Sequence, residues 1–385
     1  MWTIGATLYA SAVSDHEVIV VGGGAMGAAT AWQLARDGRD VLLVEQFEPG
    51  HAHGSSHGHT RIFRVAYRDA RYTAFALDAL EWWRVLEDES GDSLLDLCGQ
   101  IDHGARESLD DIAAALDHHC RPYERLSGAA AAERWPGIRT EDGAVFSPDG
   151  GFVAADRSVA TLYRVAAEQG ATIRTNLVVR RIEPSADGAG ATVVTDEGSW
   201  TAPVVVVAAG AWAADLLDGL VDLPPLTVTL AAPSHFRPLV GPEPWPSVVH
   251  YATGGVPLGF GAYAVWAPGV GVKVGLEERE LPVDLARRPY AAPPDVVAAL
   301  AGYVAEWFPG LDPQPLDPHT CLFTNTPDEH FILDRRGPVV VVSPCSGHGF
   351  KFVPAIGRLA AAMAVSPDAR ATDVDRVDAW RLAAS

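Results

Sequence analysis

The sequence predicts an α/β protein with an α+β second domain: a parallel sheet flanked by helices, assembled from separated segments, beside an antiparallel-sheet region. Three observations carry this. Glu17 to Glu45 reads as strand, glycine-rich turn, helix and strand. Apolar, strand-length runs of the doubly buried type recur at Val204–Val207 and, much later, at Val339–Val342. Between Val221 and Pro257 proline becomes frequent and two-residue alternation replaces the helical period.

The first element is Glu17–Val21, whose β-branched residues suit a buried parallel strand. Gly22, Gly24 and Gly27 follow in G-x-G-x-x-G spacing. Gly22 permits the tight turn, Gly24 lets backbone amides approach a pyrophosphate, and Gly27 allows close helix–strand packing. Ala28–Asp37 is rich in helix formers and stops at Gly38; Val41–Val44 is the second strand and ends in Glu45. A carboxylate at that point accepts hydrogen bonds from a ribose diol. The coincidence of all these parts predicts a Rossmann-like adenine dinucleotide site rather than an ordinary tight turn.

Tyr72–Glu87 carries Phe75, Leu80, Trp83 and Leu86 at near-helical spacing, a core-facing stripe. Asp110–Leu116 and Ala129–Trp135 are further helices, and a turn at Asp149–Gly151 precedes a helix over Arg157–Gly170. A strand pair, Ala171–Glu183 with Ala191–Thr195, follows, and Val204–Val207 leads into small residues up to Gly210 that suit passage beneath a cofactor. A closing helix over Gly357–Val365 returns the chain to the first domain. Segments 16–90, 150–220 and 321–385 are therefore expected to form the dinucleotide domain, and 91–149 with 221–320 the substrate domain.

Composition excludes several classes. With 48% apolar and 20% charged residues and a mean hydropathy of +0.08, the chain is neither disordered nor fibrous. Its net charge of −20, with no basic run, argues against nucleic acid and anionic membrane partners, and no apolar stretch is long enough to span a bilayer. Residues 1–15 lack the basic start of a secretory signal and read as an extension. Cys98, Cys120, Cys321 and Cys345 match neither a zinc site nor a disulfide framework, so a cytoplasmic location is expected.

Three segments are dense in functional groups. The first is the loop after Glu45, with His51, His53, His57 and His59; glycines interrupt its spacing and no carboxylate or cysteine lies inside it, so metal binding is the minor reading. There Arg61 and Arg64 would project together as anion anchors in a turn or helix. The second is Cys321–Asp334. In the third, Gly347 and Gly349 flank His348 and would let the backbone pass close to a flat ligand, with Lys351 at its edge. The chain has only two lysines, Lys273 and Lys351, and both fall in glycine-rich segments.

The glycine turn, the loop Gly54–Arg64, the segment Cys321–Asp334 and the run Ser346–Phe352 together resemble the monomeric sarcosine oxidase family, which includes N-methyltryptophan and pipecolate-type oxidases among the D-amino-acid-oxidase-like flavoproteins. The resemblance implies FAD bound covalently through a thioether at Cys321. It implies Lys273 as the dioxygen-activating cation and Arg64 with Lys351 as the grip on a substrate carboxylate; Arg61 and His348 complete the catalytic set. Expected cofactor contacts are Gly22, Gly24, Gly27, Glu45, Ser55, Ser56, Thr60, Arg61, Val179, Gly210, Cys321, Gly347, Gly349 and Lys351. The implied reaction is hydride transfer from a secondary amino acid, N-methyl or cyclic, to flavin, with dioxygen reduced to hydrogen peroxide by a monomeric enzyme. Leu258 and Glu277 stand where members acting on sarcosine carry tyrosine and histidine, so both are expected at the substrate and sarcosine itself is not the expected substrate. A dehydrogenase passing electrons to a carrier, and a non-catalytic FAD-binding protein, remain as alternatives.

Overall fold

Strand Val18–Val21 sits inside a six-stranded sheet whose order runs Ile332–Arg336, Val339–Ser343, Val204–Val207, Val18–Val21, Val41–Val44, Thr172–Arg174. All neighbours are parallel except the first pair, which is a hairpin. The computed structural model describes residues 15–140, 143–240, 245–251, 261–276, 281–366 and 380–382; residues 1–14 and the expectations on Leu258 and Glu277 lie outside them.

The four residues of Val18–Val21 are all buried because helices cover one face of the sheet and the antiparallel hairpin Val179–Pro184/Ala191–Thr195 lies against the other. Gly22 has φ +99°, and a Cβ there would lie 2.5 Å from the Ala208 carbonyl oxygen, so only glycine makes this turn. Helix Ala25–Arg36 starts from it. Its small residues admit the closing helix Val353–Val365 at short range: a Cβ on Gly357 would fall 2.6 Å from the Ala29 backbone. That helix begins four residues before the expected Gly357, because Pro354 is well suited to a first turn and the short 3-10 turn Phe350–Phe352 feeds into it.

A second sheet has seven strands, in the order Ser234–Phe236, Gly271–Leu276, Ala262–Ala267, Ser247–Tyr251, Gln100–Gly104, Gly143–Ser147, Glu124–Ser127. It is antiparallel except where Ser247–Tyr251 runs parallel to Gln100–Gly104. The expected all-antiparallel sheet over 221–257 is corrected in a second way: Thr227–Ala231 leaves it and pairs with Cys321–Asn325.

Two further expectations change. The single strand over Ala171–Glu183 is two strands in different sheets, Thr172–Arg174 beside Val41–Val44 and Val179–Pro184 in the hairpin. Between them Asn176 takes the left-handed φ of +57°, which asparagine tolerates and which breaks an extended run. The turn at Asp149–Gly151 does not lead straight into a helix; strand Gly151–Ala154 pairs with Thr60–Phe63 before helix Ala155–Glu168. The helix over Tyr72–Glu87 extends to Ala70–Ser90, capped by the Asp69 side chain and closed by Gly91 at φ +72°. Among the described residues no helix is long and apolar enough to cross a membrane.

Candidate active site

A cavity of about 690 Å³ opens at the carboxyl ends of the parallel strands, where Val21, Val44, Ala208 and Ser343 line it. This is where open α/β sheets bind ligands, because the loops leaving the strands diverge there. One group of lining residues is the glycine turn with Glu45. A Cβ on Gly24 would meet only Ser56 Oγ, at 3.2 Å, which leaves the space above the turn for a ligand; a Cβ on Gly27 would lie 1.8 Å from Gly22 O, so Gly27 acts in packing and does not reach the cavity. Ser56 Oγ accepts a hydrogen bond from Ala25 N at 3.0 Å and ties the histidine-rich loop to the helix start. Glu45 is 5% exposed and accepts from the Gly23 and Phe47 amides at 2.6 and 2.9 Å.

The second group carries the cations. Lys273 is placed by strand alternation: Val272 and Val274 face the core beside the seven-stranded sheet, so Lys273 points to the cavity. Its ammonium donates to the Thr60 carbonyl. Thr60 itself does not line the cavity, and its buried hydroxyl has no partner among the described residues. Burial first, and Arg61 second, hold Lys273 well below the usual lysine range.

Arg61 lies in strand Thr60–Phe63 and Arg64 just past its end, not in the expected turn or helix; both line the cavity, and each has its own partners. Arg61 turns to the Ser55 and His57 carbonyls at 3.0 and 2.7 Å and to Cys321 Sγ at 3.7 Å. Arg64, 3% exposed, donates to the Tyr251 hydroxyl and the Ala66 carbonyl and lies 4.1 Å above the Tyr67 ring. Lys351 Nζ is 5.5 Å from the centre of that same ring and donates to the His348 carbonyl at 2.7 Å. Burial and the Arg64 charge push its pKa well down. His348 is kept neutral by burial and by Lys351, with Nδ1 near the Tyr67 hydroxyl at 3.3 Å.

Ser55, Val179, Gly210, Cys321, Gly347 and Gly349 also line the cavity. The Cys321 thiol is free and buried, with Arg61 beside it and Lys273 and Arg288 near enough to feel its charge. The four histidines of the loop share no common centre; among the described residues, donors with metal-compatible spacing are His235, Asp317 and His319.

Other residues at this site carry no motif. Beneath Arg64, the fully buried Asp102 receives both Gln100 Nε2 hydrogen bonds, at 2.8 and 2.9 Å, and the Tyr251 hydroxyl. Burial lifts its pKa to about 7, against the opposing pull of Arg64. The sequence signal for it is two polar residues two apart in a strand-like run, one side of a sheet that nothing local identifies as the side of a site.

An FAD fits this lining: a helix start with open space over Gly24, a carboxylate at Glu45 and a free cysteine border one continuous cavity, and buried His57 Nε2 and Thr60 Oγ1 beside it lack partners among the described residues.

Comparison with known proteins agrees. Residues 17–363 match the family model DAO, described as FAD dependent oxidoreductase. The chain is 32% identical over 377 residues to monomeric sarcosine oxidase of Bacillus sp. (strain NS-129), covering 92% of this chain and 94% of the relative. It is 31% identical over 368 residues to N-methyl-L-tryptophan oxidase of Yersinia pestis (strain Pestoides F), covering 91% and 95%. Among solved structures, NikD, described as an unusual amino acid oxidase essential for nikkomycin biosynthesis, superposes with a TM-score of 0.84 at 29% identity, over 95% of this chain and 97% of that one. With the family model spanning most of its length, the chain belongs to the FAD-dependent oxidoreductases and is an enzyme of the sarcosine oxidase type.

Proposed function

We propose that the protein oxidises a secondary amino acid, N-methylated or cyclic, with FAD held covalently at Cys321 and dioxygen as the electron acceptor. The observation that carries the reading is the pairing of Arg64 and Lys351: two buried basic side chains lie near one Tyr67 ring and border the same cavity as the dinucleotide turn, and a carboxylate bound there favours the ammonium that burial and Arg64 oppose. Paired donors of this kind suit a carboxylate, and fixing the carboxylate fixes the α-carbon beside it. Ile62, Val249 and Val265 supply an apolar wall that favours a neutral amine, the form able to give up hydride.

Bound FAD supplies the redox chemistry, accepting two electrons and a hydrogen from the substrate. The chain does the rest. Arg64 and Lys351 orient the substrate, Gly347 and Gly349 leave room for a flat ring, and Arg61 and Lys273 bring positive charge to the neighbourhood of Cys321. A cation at Lys273 favours dioxygen reduction by stabilising negative charge as it develops. The expected division of labour belongs to this proposal: the cofactor is held by 16–90, 150–220 and 321–385, while 91–149 and 221–320 bring Asp102, Tyr251 and Lys273. The protein acts as a monomer, as the name of its relative, monomeric sarcosine oxidase, supports.

The decisive experiment mixes the flavoprotein anaerobically with a panel of N-methyl and cyclic amino acids, then admits air. At least one should bleach the flavin, and air should restore its colour with one peroxide formed per substrate consumed. No bleaching across the panel would sink the substrate class; bleaching without peroxide would point to a carrier protein. Cys321→Ser provides a separate check. Acid precipitation should leave yellow colour in the wild-type pellet and release it to the supernatant in the variant.

The site also predicts a pH dependence. As pH rises through about 7, Asp102 ionises and offsets the Arg64 charge, so carboxylate binding weakens. KM should rise about tenfold between roughly pH 6 and pH 8, and Asp102→Asn should flatten the profile. A KM profile identical in the variant would remove Asp102 from this role.

A further inference from the structure

Lys273 faces a problem the reading above leaves open: burial and Arg61 both drive it towards the neutral amine, yet a neutral amine stabilises no negative charge. His235 stands directly opposite Lys273 in the antiparallel pair of Ser234–Phe236 with Gly271–Leu276. Directly opposed residues point to the same face with Cβ atoms about 5 Å apart, and Phe236 and Val272 fill the other face. His235 is 1% exposed and gripped from one side only: the Asp317 carboxylate takes its Nδ1 at 2.9 Å through both oxygens and its backbone amide at 3.0 Å. That contact puts the ring proton on Nδ1 and leaves Nε2 a bare acceptor, with no partner among the described residues.

We propose that Asp317 and His235 are a positioning pair for Lys273: its ammonium rests on the Thr60 carbonyl and does not meet Nε2 here, so the pair acts through the Asp317 counter-charge, with Nε2 an open acceptor on the same face of the sheet. This rests on the function proposed for Lys273. The other charges around it do not replace the pair. Lys273 also feels Cys321 and Asp156, but the sulfur carries no charge once it is in a thioether, and Asp156 is already bonded to the Gly58 amide at 2.6 Å. His57 and His319 also face this region, and burial keeps both neutral. His59 meets the His235 ring at 5.4 Å as a further imidazole, without a fixed negative charge. His235, Asp317 and His319 offer one donor each within 4.8 Å, a spacing a divalent ion accepts. Arg61 and Lys273 beside the cluster oppose a cation there, whereas a carboxylate backing an ammonium suits the same field.

The chain's two lysines make the test direct. Lysine labelled with carbon-13 at Cε gives one NMR resonance for each of Lys273 and Lys351, assigned with Lys273→Met. In flavin-loaded protein, Asp317→Asn and His235→Leu should lower the Lys273 titration midpoint by about one pH unit, with His235→Gln, which keeps an acceptor, falling less. The Lys351 midpoint should stay put. Asp317 is 44% exposed at its side chain, so its variant keeps the fold even where His235→Leu does not. An unchanged Lys273 midpoint in Asp317→Asn overturns the pair, and so do cobalt(II) absorption bands that vanish in Asp317→Asn, which would make the cluster a metal site. Reoxidation by air is read separately: a shifted midpoint in a wild-type flavoprotein that does not react with dioxygen upholds the pair and defeats the proposed acceptor.

Discussion

Lys273→Met is expected to slow reoxidation of the reduced flavoprotein by air about 10²- to 10³-fold, with a much smaller effect on anaerobic reduction by substrate. The size follows from removing a preorganised charge from a water-poor site, where one such donor contributes on this scale. Lys273 is 3% exposed and rests on the Thr60 carbonyl, so nothing nearby moves in to replace it. Arg61 is committed to three backbone carbonyls, of Thr60, Ser55 and His57, and to the cysteine sulfur. The pH dependence has a fixed sign. A lysine held below its usual range loses its proton on the alkaline side sooner, so wild-type reoxidation falls as pH rises while the methionine variant stays flat. Stopped-flow mixing of reduced protein with air-saturated buffer checks both statements, and equal rates in the two proteins would exclude Lys273 from dioxygen chemistry.

Arg64→Gln should lower kcat/KM for the amino acid about 10²- to 10³-fold, the range for removing one partner of a buried charge pair. Burial makes the effect large: Arg64 is 3% exposed, its neighbours are Tyr67, Tyr251 and the Ala66 carbonyl, and Asp102 then lies beneath an uncharged amide. The change should fall mainly on KM, and simple carboxylate inhibitors should lose affinity in parallel. Losses from Arg64→Gln and Lys351→Gln should not add, since both side chains hold one carboxylate. Arg64 is also the named charge holding Lys351 down, so the Lys351 titration midpoint should rise in the variant. Carboxylate affinity unchanged in Arg64→Gln would move the substrate elsewhere in the cavity.

The dinucleotide turn was legible because its constraints are local. A left-handed Gly22, a Gly27 without room for a Cβ and an acid closing the next strand all fall between Glu17 and Glu45. Lys273 and Lys351 were legible for a compositional reason, as the two exceptions in an arginine-rich chain. Arg61 and Arg64 show the opposite case: their spacing suggests a shared turn or helix, whereas Arg61 lies in a strand paired with Gly151–Ala154 and the two side chains take different partners.

Sequence alone therefore determined the fold class, the glycine turn and many of the side chains that line the cavity, because each depends on neighbours in the chain. Tertiary structure alone decided the company those side chains keep. Asp102 meets Tyr251, the hydroxyl that Arg64 also bonds, because two strands far apart in sequence run side by side in parallel, and His235 faces Lys273 because an antiparallel register aligns them. Pairing across such distances is chosen by burial of the whole sheet, a sum over many residues that no short segment contains.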